Sequence, residues 1–166
     1  MGLIFGGITP YTENENRLAD VIAAIQVMST YKFYKLDFSG WADRISGDSS
    51  QGAYWQAIFE QHPEFFRLDQ GRAKASLVWR RNYQKLYNVD TEEKISREDY
   101  SSLSDEKKQR ISRNPLSNSD ISTLVTTAIN LHSGEIDHKR DSRWWISGFI
   151  GLAGVVVGAV VKAMAE

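Results

Sequence analysis

Apolar residues recur with a helical period in the first third of the chain. The first segment carries them along one helical face: Leu18, Val21, Ile22, Ile25 and Met28. This spacing predicts an amphipathic helix from about Glu13 to Tyr34. Asp37 or Ser39 can cap a short second helix, and a third helix is predicted from about Gln51 to His62.

The period of the pattern changes after the third helix. Residues 64–68 and 75–81 are two short runs with extended character, and the residues between them include Gly71 in a turn. The pair therefore predicts a β-hairpin. Aromatic residues at helical or alternating positions are predicted to form the core of this part: Trp41, Tyr54, Trp55, Phe59, Phe65, Phe66 and Trp79.

The middle of the chain is more polar than its two ends. Residues 90–143 are predicted to be a linker with connecting helices, one starting near Ser104 and another capped by Ser117 or Ser119. We therefore divide the chain into a head at 1–89, this connecting region, and a last segment at 144–165.

The last segment is the most apolar part of the chain. Its residues 144–161 carry no charge, and eighteen helical residues extend about 27 Å, close to the roughly 30 Å hydrocarbon core of a bilayer. Basic residues precede Trp144, which favours a cytoplasmic head. The segment predicts a transmembrane anchor in a bacterial inner membrane. The alternative is a core helix or hairpin buried in a soluble oligomer.

Small residues in the last segment indicate a surface for helix–helix contact. Gly154 and Gly158 form a GxxxG pair, and Ser147 and Gly151 form a second pair with the same spacing. Small residues at this spacing let two membrane helices approach closely. We therefore predict self-association through these four residues.

Composition removes several kinds of chemistry from consideration. The chain has no cysteine, which excludes disulfides, thiolate metal sites and a cysteine nucleophile. Its three histidines include no pair at the i, i+4 spacing that places two ligands on one helical face. The formal net charge of -1 provides no overall field that would attract nucleic acid. We predict no metal, no cofactor and no catalytic residue.

Three helices followed by a hairpin is the element order of winged helix-turn-helix domains, and the head resembles that superfamily from about Glu13 to Tyr83. The resemblance implies binding to DNA or to a protein. Six cations around the hairpin are the candidate contacts to nucleic acid or to a partner: Arg67, Arg72, Lys74, Arg80, Arg81 and Lys85. The third helix has no lysine or arginine to read guanine, so a protein partner is favoured.

Three stretches also resemble a small bacterial family whose members sometimes carry the label N-carbamoyl-L-amino acid amidohydrolase. They are WxxIFEQHPEFFRLD at residues 55–69, KASLVWRR at 74–81 and SRNPLS at 112–117. The label implies a metal-dependent hydrolase. Because the sequence offers no set of metal ligands, we predict that the chain is not an enzyme.

Together these patterns predict a mainly helical α+β protein with a small β-hairpin, in which a winged-helix-like head precedes a C-terminal transmembrane helix. The predicted function is that of a membrane-anchored interaction or effector protein. Its predicted partners are the bilayer and either another protein or a second copy bound through the last helix. The alternative is a membrane-tethered, DNA-binding transcription regulator.

Overall fold

The computed structural model describes residues 10–12 and 14–137 of the 166-residue chain. These residues form an α+β fold with two small antiparallel sheets. The elements, in chain order, are α1 (Arg17–Thr30), β1 (Lys35–Asp37), α2 (Phe38–Ser46), α3 (Gly52–Gln61), β2 (Phe66–Leu68), β3 (Lys74–Leu77), β4 (Tyr87–Asn88), β5 (Glu93–Lys94), α4 (Arg97–Ser102), α5 (Asp105–Gln109), β6 (Ile111–Ser112) and α6 (118–137). Single 3-10 turns lie at Pro10–Thr12, Ser49–Gln51 and Trp79–Asn82.

The ends of the first three helices follow local side-chain chemistry. The carboxylate of Asp37 accepts a hydrogen bond from the backbone N–H of Gly40 at 2.7 Å, which confirms the predicted cap of α2. Gly47 ends α2 with a left-handed φ of +73°, a conformation that costs glycine little. The bounds of α3 agree with the prediction to one residue at each end. By contrast, α1 is shorter than the predicted helix of residues 13–34.

The first sheet has the strand order β1-β3-β2, with β3 in its centre. On one side of β3, Phe66 of β2 pairs with Leu77; on the other side, Lys35 of β1 pairs with Ser76. The predicted hairpin is confirmed by the pairing of β2 with β3. However, β3 ends at Leu77, and the rest of the predicted strand forms a 3-10 turn.

The core lies where α1, α2, α3 and α6 meet the first sheet. Its fully buried apolar residues include Val21, Ile25, Met28, Trp41, Ile58, Phe59 and Leu77. The indole N–H of Trp41 donates to the carbonyl of Ala75 at 2.9 Å and thereby connects α2 to β3. Most of the predicted aromatic core is buried, but Tyr54 is 40 % exposed and its hydroxyl donates to Asp20 on the surface.

The region after the first sheet is more ordered than a linker. Strand β4 pairs with both β5 and β6, and two short helices, α4 and α5, lie between β5 and β6 in the chain. Helix α6 then packs on the core through Leu124 and Ala128. The backbone N–H of Leu116 donates to the carbonyl of Ser29 at 2.9 Å, so the segment that leads into α6 is fixed against α1.

The described helices do not include one that could cross a membrane. Over residues 10–12 and 14–137, none combines sufficient length with sufficient apolar character. Helix α6 shows why, since serine, threonine and acidic residues fill the faces outside its apolar stripe. This finding contradicts the predicted transmembrane architecture and the predicted inner-membrane location. The stretch that motivated both, residues 144–165, lies outside the described residues, as do the predicted helix contacts at Ser147, Gly151, Gly154 and Gly158.

Candidate functional site

A polar cleft of about 590 Å³ lies on the solvent side of the first sheet. We call it the basic cleft. Four cationic side chains line it: Lys35, Arg67, Arg81 and Arg113. Its lining includes a single carboxylate, that of Asp69. The turn of the hairpin, with Gln70 and Gly71, forms one wall.

The strand register explains why these residues meet. Lys35 and Arg67 both pair with Ser76, so the three side chains form a row on one face of the sheet. Their neighbours Leu36 and Ala75 point to the opposite face, toward the core. Ser76 lies at the floor of the cleft with only 2 % of its surface exposed.

Arg113 reaches the cleft from the segment that precedes α6. Its Nη1 donates to the backbone carbonyls of Arg81, at 2.6 Å, and Tyr83. Its guanidinium lies over the ring of Tyr34, 5.0 Å from the ring centroid, which is a cation–π contact. Its Nε is buried and has no hydrogen-bond partner among the described residues. Arg113 is therefore held in place while one of its donors remains unused.

Asp69 uses most of its acceptor capacity within the hairpin. Its Oδ1 accepts from the backbone N–H groups of Ala73 at 3.0 Å and Lys74 at 3.2 Å, and its Oδ2 lies 3.8 Å from the ammonium of Lys35. Desolvation alone would raise the pKa of Asp69, but the two amide hydrogen bonds and the nearby lysines outweigh it and lower that pKa. Asp69 is therefore ionised and shapes the turn.

Three cations of the cleft have no carboxylate partner among the described residues: Arg67, Arg81 and Arg113. Arg67 and Arg81 are exposed, and neither forms a salt bridge with any residue of the described ranges. The cleft therefore carries an excess of positive charge although the whole chain is close to neutral.

The predicted contact residues divide between the cleft and other places. Arg67 and Arg81 line the cleft. Arg72 instead forms a salt bridge of 2.9 Å with Glu60 and borders a neighbouring cavity of about 360 Å³ between α3 and the hairpin. Lys74 lies on β3, opposite Asp37 of β1. Lys74 and Lys85 are both exposed, and neither lines the cleft.

Arg80, the sixth predicted contact, lies in the interior and cannot reach a partner. Its exposed fraction is 0 %, and its guanidinium donates to four backbone carbonyls, those of Met28, Tyr31, Arg113 and Asn114. Burial lowers the pKa of Arg80 to about 10, so the side chain still carries its charge at neutral pH. The prediction for Arg80 is wrong because all four acceptors belong to the fold itself.

Two members of the cleft were not predicted as contacts. Lys35 lies in a short stretch where lysines alternate with aromatic residues, and nothing in that stretch places it beside the hairpin. Arg113 follows the second sheet and is far from the hairpin in the sequence, and no local pattern marks it. Only the pairing of β1 with β3 and the return of the chain after β6 bring these residues to Arg67.

A second group of polar side chains lies at the end of α3. His62 follows the last residue of α3, and its Nδ1 lies 3.0 Å from Oε1 of Glu64. The hydroxyl of Tyr11 donates to the same oxygen, and the ring of Tyr11 contacts both His62 and His132. Burial would raise the pKa of Glu64, but the hydrogen bonds from His62 and Tyr11 outweigh it and lower that pKa.

This second group connects distant parts of the chain. Tyr11 belongs to the first 3-10 turn, Glu64 follows α3, and His132 lies on α6. His62 is fully buried, and its carboxylate partner is also engaged by Tyr11. These contacts connect the first 3-10 turn, the end of α3 and α6, and we therefore interpret the group as an internal cross-link of the fold.

Helix α3 presents few groups suited to nucleic-acid recognition. Its exposed residues are Ala53, Tyr54, Ala57 and Glu60, and it carries no lysine or arginine. Glu60 is bonded to Gln56 and Arg72, and Tyr54 is bonded to Asp20. The cationic surface therefore lies beside the hairpin and not on this helix.

Comparisons with known protein families, with curated proteins and with solved structures give no match for this chain. The two resemblances noted in the sequence stay predictions.

Proposed function

We propose that this chain is a winged-helix-like interaction module that binds an acidic segment of a partner protein in the basic cleft. The element order α1-β1-α2-α3-β2-β3 and the sheet order β1-β3-β2 support the winged-helix part of the proposal. Three helices followed by a hairpin is the order on which the resemblance to winged-helix domains rests, and the β2–β3 hairpin takes the place of the wing. Fold alone does not define function, so the proposal rests on the cleft.

One observation carries the proposal: Arg67 and Arg81 face a common cleft without a carboxylate partner among the described residues. Like charges held together repel one another, and a partner of opposite charge relieves that repulsion. The cleft also contains Lys35 and Arg113, while its one carboxylate is already bonded to backbone amides. An acidic ligand complements this arrangement.

An acidic protein segment fits the surface better than duplex DNA does. Helix-turn-helix proteins read bases with the recognition helix, and arginine or lysine on that helix supplies the commonest contact, to guanine. The corresponding helix here, α3, carries no cation and exposes Glu60. Two walls of the cleft, those formed by Arg81 and Arg113, come from outside the three helices and the hairpin.

The test is a binding measurement with a fluorescein-labelled oligoglutamate peptide and an equally labelled DNA duplex. We expect the peptide's fluorescence anisotropy to rise with protein concentration and the affinity to fall with added salt, because salt screens exposed charges. The double variant Arg67→Gln/Arg81→Gln should weaken peptide binding about tenfold or more, which corresponds to about 1.4 kcal/mol.

A matched control removes two other cations. The double variant Arg72→Gln/Lys85→Gln changes the net charge by the same amount but leaves the cleft intact. It should weaken binding less than twofold. Equal losses in the two double variants would mean that overall charge and not the cleft binds the peptide. Tighter binding of the duplex than of the peptide would replace the proposal with DNA binding.

A further inference from the structure

We infer that the acidic group bound in the basic cleft is a phosphomonoester and not a carboxylate. This inference rests on the proposed function and names the chemistry that the cleft recognises. It is carried by three features of the cleft: its balance of charge, the state of Arg113, and the small share of apolar side chains in its lining.

The first step is the balance of charge. Three guanidinium groups and one ammonium group face one carboxylate across the cleft, which leaves a clear positive excess. A glutamate or aspartate side chain brings one negative charge. A phosphomonoester brings about -1.5 to -2 at neutral pH and three strong acceptor oxygens. The larger charge matches the excess better.

The second step concerns how the arginines are held. The guanidinium of Arg113 is fixed by the carbonyls of Arg81 and Tyr83 and by the ring of Tyr34. A fixed guanidinium loses little conformational entropy when it binds a ligand, and its planar donor array matches phosphate oxygens. Arg67 and Arg81 add two further donor arrays.

The third step concerns the source of the phosphate. Among the side chains that line the cleft, only Leu68 and the ring of Tyr34 offer apolar surface, and Arg113 lies over that ring. A nucleotide site needs a surface on which the base can stack. A phosphorylated serine or threonine side chain needs none. The lining therefore favours a phosphorylated protein chain over a free nucleotide.

The experiment compares four defined probes by calorimetry and by NMR of the arginine Nε–H groups: N-acetyl-phosphoserine amide, N-acetyl-glutamate amide, adenosine monophosphate and inorganic phosphate. We expect the phosphoserine probe to bind at least about tenfold more tightly than the glutamate probe. It should shift the Nε–H resonance of Arg113. Its affinity should fall as the pH drops below about 6, where the phosphate loses its second charge.

Two conservative variants distinguish the effect of the planar guanidinium donors from the effect of the positive charge. Arg67→Lys and Arg113→Lys keep the net charge but replace a planar donor array by an ammonium group. Each should reduce the preference for phosphoserine over glutamate by about threefold or more. If Arg113→Lys does not fold, Arg67→Lys provides the test by itself. Lys85→Arg is the matched control and should leave the preference unchanged, because Lys85 does not line the cleft.

The outcomes separate this inference from the proposed function. Equal affinity for the phosphoserine and glutamate probes, combined with binding of the oligoglutamate peptide, would overturn the phosphate preference and leave the proposed function standing. Binding of neither probe nor the peptide would remove both. Tighter binding of adenosine monophosphate than of phosphoserine would support phosphate recognition and overturn the protein partner in favour of a nucleotide.

Discussion

Arg80 and Arg81 are neighbours in the chain, yet they lie in two regions of opposite character. Arg80 is fully buried, and four backbone carbonyls accept its hydrogen bonds. Arg81 is exposed in the basic cleft and forms no salt bridge within the described ranges. The comparison shows that one arginine is engaged by four fixed carbonyls of the fold, while its neighbour keeps its guanidinium open to the cleft.

Among the described residues, the hydrogen-bond acceptors of the Arg80 side chain are backbone carbonyls and include no carboxylate. Met28 and Tyr31 lie at the C-terminal end of α1, where backbone carbonyls carry partial negative charge that favours a cation. The carbonyls of Arg113 and Asn114 belong to the segment that leads to α6. Arg80 therefore connects the C-terminal end of α1 to the segment that precedes α6.

The largest expected effect tests this interior role. Arg80→Met leaves four backbone carbonyls without their donor, and we expect it to lower the free energy of unfolding by about 3–5 kcal/mol. Urea denaturation followed by circular dichroism measures the change. The free energy of unfolding of Arg80→Lys should lie between those of the wild type and Arg80→Met, because an ammonium group offers three donors in a different geometry from a guanidinium.

Arg81→Met provides the control for that measurement. The side chain is exposed, so its replacement should change the free energy of unfolding by no more than about 0.5 kcal/mol. Similar losses at both positions would end the distinction between an interior arginine and a cleft arginine.

A smaller effect is expected when the same contrast is tested with aromatic residues. Trp41→Phe removes the buried indole N–H that donates to the carbonyl of Ala75, and we expect a loss of about 1–3 kcal/mol. Tyr54→Phe removes an exposed hydrogen bond to Asp20 and should cost about 0.5 kcal/mol or less. Urea denaturation of both variants gives the two values, and a larger loss for Tyr54→Phe would contradict the burial assigned to these side chains.

The sequence was sufficient to predict the elements that carry a clear periodicity. Helices α2 and α3 and the hairpin follow from apolar spacing, a cap and a turn. Strand β1 could not be predicted in this way, because three residues are too few to show a period and its pairing partner is far along the chain. The same reason applies to the two-residue strands of the second sheet.

The cleft could be predicted only in part for a related reason. The density of basic residues after Phe66 indicated a cationic surface, and Arg67 and Arg81 belong to it. Which of two adjacent arginines turns inward depends on the 3-10 turn at residues 79–82, where the sequence pattern predicts a strand. The membrane anchor was inferred from composition in residues 144–165, which lie outside the described residues.

Acid stability extends the comparison from arginines to carboxylates. The pKa of Glu64 is lower in the folded chain than its ordinary value of 4.5, because hydrogen bonds from His62 and Tyr11 outweigh the effect of burial. Glu64 therefore contributes stability that is complete above pH 4.5 and is lost as the pH falls through its folded pKa. This loss of stability at low pH is the acid limb of the pH profile. Glu64→Gln should make the acid limb less steep, as measured by urea denaturation over a series of pH values.

Asp90 is the exposed counterpart of Glu64 in this test. Its pKa is also lowered, mainly by the side-chain hydrogen bonds from Arg110, but both side chains are about half exposed. Salt screens such a pair strongly. Asp90→Asn should therefore alter the acid limb only at low salt, whereas the effect of Glu64→Gln should persist at high salt. A salt-sensitive effect at Glu64 would contradict its placement in a partly buried network.

The smallest expected effect concerns the cost of keeping the cleft cationic. Arg67 and Arg81 lie with Lys35 and Arg113 around one cavity, and like charges at this proximity repel one another. Arg67→Gln/Arg81→Gln should therefore raise the free energy of unfolding at low salt by a few tenths of a kcal/mol, about the size of other exposed charge effects. The gain should vanish in high salt, and thermal denaturation of the double variant beside Arg72→Gln/Lys85→Gln measures it.

The control variant, Arg72→Gln/Lys85→Gln, removes the salt bridge from Arg72 to Glu60 and should give no gain in stability. A loss of stability in the cleft variant would mean that the two arginines serve the fold, and the contrast with Arg80 would then be one of degree only.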